Sequence, residues 1–352
     1  MRESTLLVAA RDGDGDAFRE LVAPHLPALH LHCYRMLGSY HDAEEVMQDV
    51  LLRAWRFLAG YRQQAPLLHW LYRIATTTSL KAIEARARRP GTVAEIDYLE
   101  PYPDRLLDAL PADSDPAAVA ERRESVSLAF IAALQLLPAN QRAVLILREV
   151  LGFSAQEAAD ALETSTASVN SALQRARASV DDKLPEQSQQ QTLRELGDEK
   201  VRELVEDYVA AWERDDVDTV VSMLAEDATF TMPPLASWFG GRDQIAIFLA
   251  GSPMSGDWDW RALRVRANGQ EALGFYAWSD ESQSYERFAL NVLTFRGERI
   301  SDVTAFITTV APSADREVVL RMPEHAYDPV ALAAAFENFG LPERLERDGR
   351  EH

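Results

Sequence analysis

The chain holds a single cysteine, Cys33, in 352 residues. One thiol excludes an internal disulfide and any zinc site built on paired cysteines, and it fits a reducing compartment, so a cytoplasmic protein is expected. Long apolar runs are missing: none approaches the roughly 18–20 residues of a membrane span. Leu6-Leu7-Val8-Ala9-Ala10, near the start, is too short for the apolar centre of a signal peptide. Cations are scarce, with 36 Lys and Arg against 56 Asp and Glu, a net charge of −20. That balance argues at first against nucleic acid, whose phosphates need clustered positive charge. Histidine is thin and uneven: all seven (25, 30, 32, 41, 69, 325 and 352) lie outside 198–312. No metal-ligand set and no cofactor site is expected.

What is present is an ordinary globular composition, 47% hydrophobic and 26% charged, in a length that calls for two or three domains. The charge is strongly polarised. Residues 51–90 carry a net +7, whereas 1–50 carry −5, 91–125 carry −6 and 184–352 carry −15. A basic block inside an acidic chain points to a polyanion site.

Residues 16–90 read as helices almost throughout. Ala43, Val46, Met47, Val50, Leu51 and Ala54 form an apolar stripe at helical spacing. After a break over 60–66 a second helix spans about 67–88. Five prolines and a run of acids over 90–118 mark a linker. Residues 119–183 return to helix. Ser154-Ala155-Gln156-Glu157 is a capping box, a polar turn covers 163–166, and a last helix runs over about 166–182, together a helix-turn-helix candidate. A Gln-rich stretch then leads into a region of another class. There, helices are expected from 198, at 216–225 and at 242–250, followed by strands at 258–267, 270–279, 285–296 and 299–307. Asn268-Gly269 is a hairpin signal between the first two strands. Helices followed by an antiparallel sheet indicate α+β. One more helix is expected near 329–339.

Three constellations carry chemistry. Asp42, Glu45, Gln48 and Asp49 form an acidic face opposite the apolar stripe, suited to docking on a basic partner helix. Trp55, Phe57, Tyr61, Trp70 and Tyr72 alternate with Arg53, Arg56, Arg62, His69 and Arg73. Such interleaving supplies flat rings for unstacked bases and cations for phosphates, although Trp55 and Trp70 are expected to be core. In the helix at 166–182, Val169, Leu173, Ala176 and Val180 share an inward face. Ser168, Asn170, Ser171, Gln174, Arg175 and Arg177 lie on the outer side, a set suited to base edges and phosphates in a major groove.

Asp42–Trp55, followed by Trp70-Leu71-Tyr72-Arg73-Ile74-Ala75-Thr76, resembles region 2 of extracytoplasmic-function (ECF) sigma factors of bacterial RNA polymerase, and residues 134–177 resemble region 4 of the same family. The resemblance covers about half the chain. It implies that Asp42, Glu45, Gln48 and Asp49 bind the clamp helices of core polymerase, with the flap as a further contact. It implies that Tyr61, Arg62, Trp70, Arg73, Thr77 and Lys81 read and melt the −10 element, and that Ser168, Asn170, Ser171, Gln174, Arg175 and Arg177 read the −35 element. Where family members carry Asn and then Asp after the Ile-Ala-Thr run, this chain has Thr77 and Lys81.

The C-terminal order of elements, with Ala228-Thr229-Phe230-Thr231-Met232-Pro233-Pro234, resembles the SnoaL-like branch of the NTF2-like superfamily, an α+β cone. A subgroup of ECF sigma factors carries such a fusion, and in it a linker like Tyr98-Leu99-Glu100-Pro101 is familiar. The resemblance implies regulation of the sigma half in cis. Trp238, Phe239, Tyr276 and Trp278 are the candidate pocket. Asp227, Glu271, Glu286 and Asp302 are the carboxylates an enzyme would use as base, but a fold does not carry its chemistry with it, and with no histidine in 198–312 no catalytic residue is expected.

The expected organisation is region 2 as a helical bundle over 14–90, an acidic linker over 91–118, region 4 as a helix-turn-helix over 119–183, and a short linker over 184–197. An NTF2-like cone over 198–312 and a tail over 313–352 complete it. The expected function is promoter-specific initiation with core polymerase and promoter DNA as partners and no membrane, the C-terminal domain docking on the sigma domains. The alternatives are a helix-turn-helix regulator with a small-molecule domain, which leaves 51–90 without a task, and a DNA-tethered isomerase or cyclase.

Overall fold

The computed structural model describes residues 2–88, 99–110, 115–233, 238–307 and 336–347. Tyr98, the adjoining stretch 89–97, most of the tail 313–352 and most of the helix expected near 329–339 lie outside the described residues. Two compact units emerge: residues 1–102, 106–116 and 128–184 form one, and residues 103–105, 117–127 and 185–352 form the other. Residues 119–127, expected with region 4, therefore cluster with the C-terminal half. Among the described residues no helix is long and apolar enough to cross a membrane.

In chain order the first eleven helices are α1 (Arg2–Arg11), α2 (Gly15–Val22), α3 (Leu26–Leu37), α4 (Tyr40–Phe57), α5 (Leu67–Ala87), α6 (Asp104–Asp108), α7 (Pro116–Glu124), α8 (Leu128–Gln135), α9 (Ala139–Leu145), α10 (Ala155–Ala161) and α11 (Thr166–Asp181). A π-helical turn over Ile146–Val150 prolongs α9.

In the first unit α3 is the central rod. Leu29, Leu31, His32, Cys33, Tyr34, Arg35, Met36 and Leu37 are all buried, so the helix is enclosed by its neighbours on every side. Its only histidine in the deep interior, His32, meets Thr76 Oγ1 at 2.8 Å. Gly38 ends α3 in the left-handed region (φ 73°), and its N–H donates to Tyr34 O at 2.7 Å. A Cβ there would lie 2.9 Å from the side chain of Gln135, so the turn admits only glycine without a shift. Ser39 then caps α4 by accepting from Asp42 N–H at 3.0 Å. α5 carries Thr76, Thr77 and Thr78 in mid-helix, where each hydroxyl bonds the carbonyl four residues back.

The second unit adds α12 (Gln189–Leu196), α13 (Asp198–Trp212), α14 (Val217–Met223) and α15 (Arg242–Gly251). Its strands are β1 (Leu224–Thr231), β2 (Trp238–Gly240), β3 (Trp260–Ala267), β4 (Gln270–Ser279), β5 (Ser284–Arg296), β6 (Arg299–Ile307) and β7 (Arg344–Leu345). The sheet runs β2-β1-β6-β5-β4-β3, with β7 pairing β5 where β6 has ended. All pairings are antiparallel except β1 with β6. On one face Leu273, Phe275, Ala277, Ala289, Leu293, Val303 and Ala305 pack against Tyr208 and Trp212 of α13 and Ile245 and Leu249 of α15, a cone closed by helices. The alternate residues of β4 face the other way. Tyr276 meets Phe336 there at 5.6 Å between centroids, and Tyr276 Oη donates to Pro342 O at 2.8 Å.

Candidate nucleic-acid and polymerase interfaces

The 3.6-residue period of α4 separates its faces. Ala43, Val46, Met47, Val50 and Ala54 are buried, while Glu45, Gln48 and Asp49 are exposed on the opposite side. Asp42 is half-buried and spent differently: its carboxylate pairs with Arg86 of α5 at 2.6 Å. Glu45 has His41 3.6 Å away within the same helix.

The aromatic and basic residues of 55–73 sort by burial. Tyr61 is 7% exposed, its hydroxyl donates to Ala65 O at 2.7 Å, and the Arg11 guanidinium donates to its carbonyl. Its ring supports Trp70 at 5.2 Å. Trp70 is half-buried rather than core, as is Trp55, which meets Phe18 edge-on at 5.0 Å. Phe57 is exposed. Arg62, Arg73 and Lys81 are exposed, and Thr77 is half-buried with its hydroxyl turned to the backbone. Of the six residues expected at the −10 element, Tyr61 alone is enclosed.

Within the first unit the N-terminal turns of α5 are covered by the helix-turn-helix. The His69 ring stacks on Phe153 (4.5 Å between centroids, 20° between planes) and lies 3.6 Å from the Glu157 carboxylate. Glu163, in the turn between α10 and α11, stands 3.7 Å from Arg73. Glu157 closes the capping box of α10, and the Ser154 N–H followed by its hydroxyl holds that carboxyl below the usual range. Arg142 of α9 is buried and donates to Met36 O near the end of α3 and to Gln135 O. Sequence patterning missed these contacts, because those that join region 2 to region 4 link residues 84 to 106 positions apart.

α11 presents what its spacing predicts. Val169, Leu173, Ala176 and Val180 are buried, and Ser168, Asn170, Ser171, Gln174, Arg175 and Arg177 are all exposed. Ser165 caps the helix by accepting from Ser168 N–H at 3.2 Å. Arg177 pairs with Glu149 at 2.7 Å.

In the second unit the four candidate pocket aromatics do not converge. Trp238 is 67% exposed, and Phe239 stacks on Phe248 at 4.2 Å against the cone. Tyr276 lies on the opposite face of the sheet beneath Phe336, and Trp278, two residues on, carries the Arg347 guanidinium over its ring. The reason is strand parity: Phe275 and Ala277 point into the cone, so Tyr276 and Trp278 point out. The carboxylates weighed as bases are each engaged. Asp227 pairs with Arg296, Glu271 with Arg264 at 2.8 Å and Glu286 with Arg344 at 3.7 Å, while Asp302 accepts from Thr229 at 2.6 Å. Inside the cone Tyr208 and Asn291 are buried polar groups, and burial pushes the Tyr208 hydroxyl up.

Comparison with known proteins follows the same divisions. Residues 21–89 match the Sigma-70 region 2 family, residues 127–180 the Sigma-70 region 4 family and residues 205–303 the SnoaL-like domain family. The ECF RNA polymerase sigma factor SigG of Mycobacterium tuberculosis (strain H37Rv) is 39% identical over 316 residues, covering 85% of this chain and 82% of that protein. The ECF RNA polymerase sigma-E factor of Escherichia coli (strain K12) is 28% identical over 184 residues, 52% of this chain and 95% of the relative. The crystal structure of the Mycobacterium tuberculosis extracytoplasmic function sigma factor SigJ covers 80% of this chain and 94% of its own, with a TM-score of 0.54 at 23% identity, a likeness of fold. Two DNA-reading helical regions in this order, followed by an α+β cone, and a relative that matches across all three, make this chain a member of the ECF family of RNA polymerase sigma factors, with a SnoaL-like domain at its C-terminal side.

Proposed function

We propose how this chain carries out promoter-directed initiation as an ECF sigma factor. Glu45, Gln48 and Asp49, exposed on one face of α4, dock on the clamp helices of core polymerase, while Asp42 holds α4 to α5. Trp70, braced by Tyr61, and the cations Arg62, Arg73 and Lys81 take the −10 strand, the ring by stacking and the cations by phosphate contact. α11 enters the major groove at the −35 element through Ser168, Asn170, Ser171, Gln174, Arg175 and Arg177. Region 4 also meets the flap. Work with core polymerase and DNA places the chain in the cytoplasm.

The observation that carries this reading is the division of α11, in which every inward position at its apolar spacing is buried and all six polar positions are exposed. A solvated helix has no need of so regular a set of Ser, Asn, Gln and Arg, whereas base edges and phosphates do. This reading gives the chain no catalysis of its own, and it is supported by the four carboxylates weighed as bases, Asp227, Glu271, Glu286 and Asp302, each having an Arg or hydroxyl partner. The SnoaL-like domain acts on the sigma half in cis.

Run-off transcription with purified core polymerase on a genomic promoter library tests this, comparing the full chain with one ended near Lys183. Promoter-specific transcripts are expected. Transcripts from the shortened chain alone would make the C-terminal domain inhibitory, and transcripts from the full chain alone would make it part of the initiating complex. No promoter-specific transcript from either would overturn the assignment.

A further inference from the structure

The tip of the β3–β4 hairpin is built like a free two-residue turn but is not free. Asn268 (φ 56°) and Gly269 (φ 70°) adopt the left-handed backbone of such a turn, which normally projects into water. Here Asn268 is 0% exposed and the following Gln270 1%. Other segments of the same unit wrap it. Asn268 Nδ2 donates to Val126 O at 2.7 Å, and Gly269 N–H donates to Asp104 Oδ1 at 2.8 Å. Gln190 Nε2 donates to Gly269 O at 2.6 Å while its own N–H donates to Glu124 Oε2 at 3.0 Å. Arg266 stands 3.5 Å from the Asp104 carboxylate, and Pro103 pairs with Ala267 as an isolated antiparallel bridge. The approach is close enough that a Cβ on Gly269 would lie 2.9 Å from Arg123 O.

Every residue held by the tip, apart from Gln190, belongs to the connection between region 2 and region 4. Grip begins at Pro103, one residue after Tyr102, which is fully buried beside the rings of His30, Tyr34 and Tyr40 in the region 2 bundle. It ends at Val126, two residues before α8 opens region 4. With the grip closed, no slack remains at either end of the connection. Released, residues 103–105 and 117–127 are no longer tied to the hairpin and can follow region 4.

We propose that the β3–β4 hairpin of the SnoaL-like domain is a clamp on the connection between the two DNA-reading regions, withholding the slack that region 4 needs to leave α5. The inference rests on the sigma-factor reading above and names how the domain regulates it. In the first unit His69 stacks on Phe153 beside Glu157, and Arg73, although exposed, faces Glu163 at 3.7 Å, so a −10 strand engaging these two residues competes with region 4 for them. Opening the clamp supplies the slack for region 4 to leave; keeping it shut retains these contacts.

The test uses the full chain carrying Asn268→Gly and Asp104→Ala. Glycine keeps the turn and removes the Asn268 donor, and alanine removes the acceptor for Gly269. Hydrogen exchange of residues 103–127 should quicken at least tenfold while amides of β4 and β5 stay protected, which shows that the fold survives. Dyes on Ala85→Cys and Ala178→Cys, both exposed while Cys33 is buried, then report opening of the sigma half as core polymerase is added. Half-opening is expected at a core concentration at least fivefold lower in the clamp variant than in the same labelled chain without it. Unchanged exchange over 103–127, or faster exchange with an unchanged opening curve, would overturn the proposal. A chain that neither binds core nor yields a promoter transcript would fail the sigma reading itself, and the exchange arm would still report the grip separately.

Discussion

Trp70 and Tyr61 sit next to each other and divide one task. The Tyr61 ring is enclosed and its hydroxyl satisfied, so it shapes the surface; the half-buried Trp70 ring lies on it. Trp70→Ala is expected to weaken binding of a single-stranded −10 oligonucleotide by the holoenzyme by about 1–3 kcal/mol, with Tyr61→Phe leaving it nearly unchanged; fluorescence anisotropy reads both. His32 acts on stability instead. Burial, with Arg35 nearby, pushes its pKa down to about 3, and burial takes His30 down to about 4. The unfolded chain therefore binds protons near pH 6.5 that the folded chain refuses. Stability from these groups is whole above about pH 6.5 and is lost as pH falls toward 3, at up to roughly 1.4 kcal/mol per pH unit for His32. His32→Gln should flatten the fall of Tm between pH 6.5 and 4 in calorimetry. The interleaving marked Arg73 as a candidate for a nucleic-acid surface, whereas Trp70, expected to be core, is half-buried. That Tyr61 lies beneath Trp70 was not legible, because burial of a tyrosine depends on what folds over it.

Elements were the most legible scale, since periodicity reports which side of a helix or strand meets a core. α11 is the clearest instance: its inward and outward residues were assigned from spacing and lie as assigned. The contrast is testable. Arg175→Ala should lower −35 duplex affinity by about 1–3 kcal/mol with little change in Tm, and Leu173→Ala should destabilise the fold by about 2–5 kcal/mol, followed by gel shift and urea unfolding. The limits of β3 to β6 and the Asn268-Gly269 turn were equally legible, whereas β1, β2 and β7 were not expected and β1 begins inside the helix expected at 216–225. Parity misled in one place. Tyr276 and Trp278 were grouped with Phe239 because aromatics suggest a pocket, but alternation along β4 puts them on the outer face, where Phe336 (0% exposed) and Leu341 cover Tyr276 and Gly274. Those covering residues make the segment 336–347 part of the fold. Phe336→Ala is expected to cost the second unit about 3–5 kcal/mol in urea unfolding.

At the scale of the whole molecule, charge sets the expectation. Residues 184–352 carry a net −15 in a chain of −20, and residues 51–90 carry +7. Ending the chain near Lys183 should raise DNA affinity most at low salt, with the difference from the full chain shrinking as salt screens the removed acids; titration at several ionic strengths measures this. By itself the sequence determined the order of regions, the class of each, the limits of α5, α11 and β3 to β6, and the outward sets on α4 and α11, because these follow from local spacing, capping and turn chemistry. Tertiary structure alone decided which of those surfaces are covered. Glu157 and Glu163 read as solvated acids, yet they face His69 and Arg73; Asp104 and Val126 read as linker, yet the hairpin tip holds them. Such contacts join residues 88 to 165 positions apart. No period or motif encodes them, since they arise only when the folded chain brings burial and hydrogen-bond geometry together.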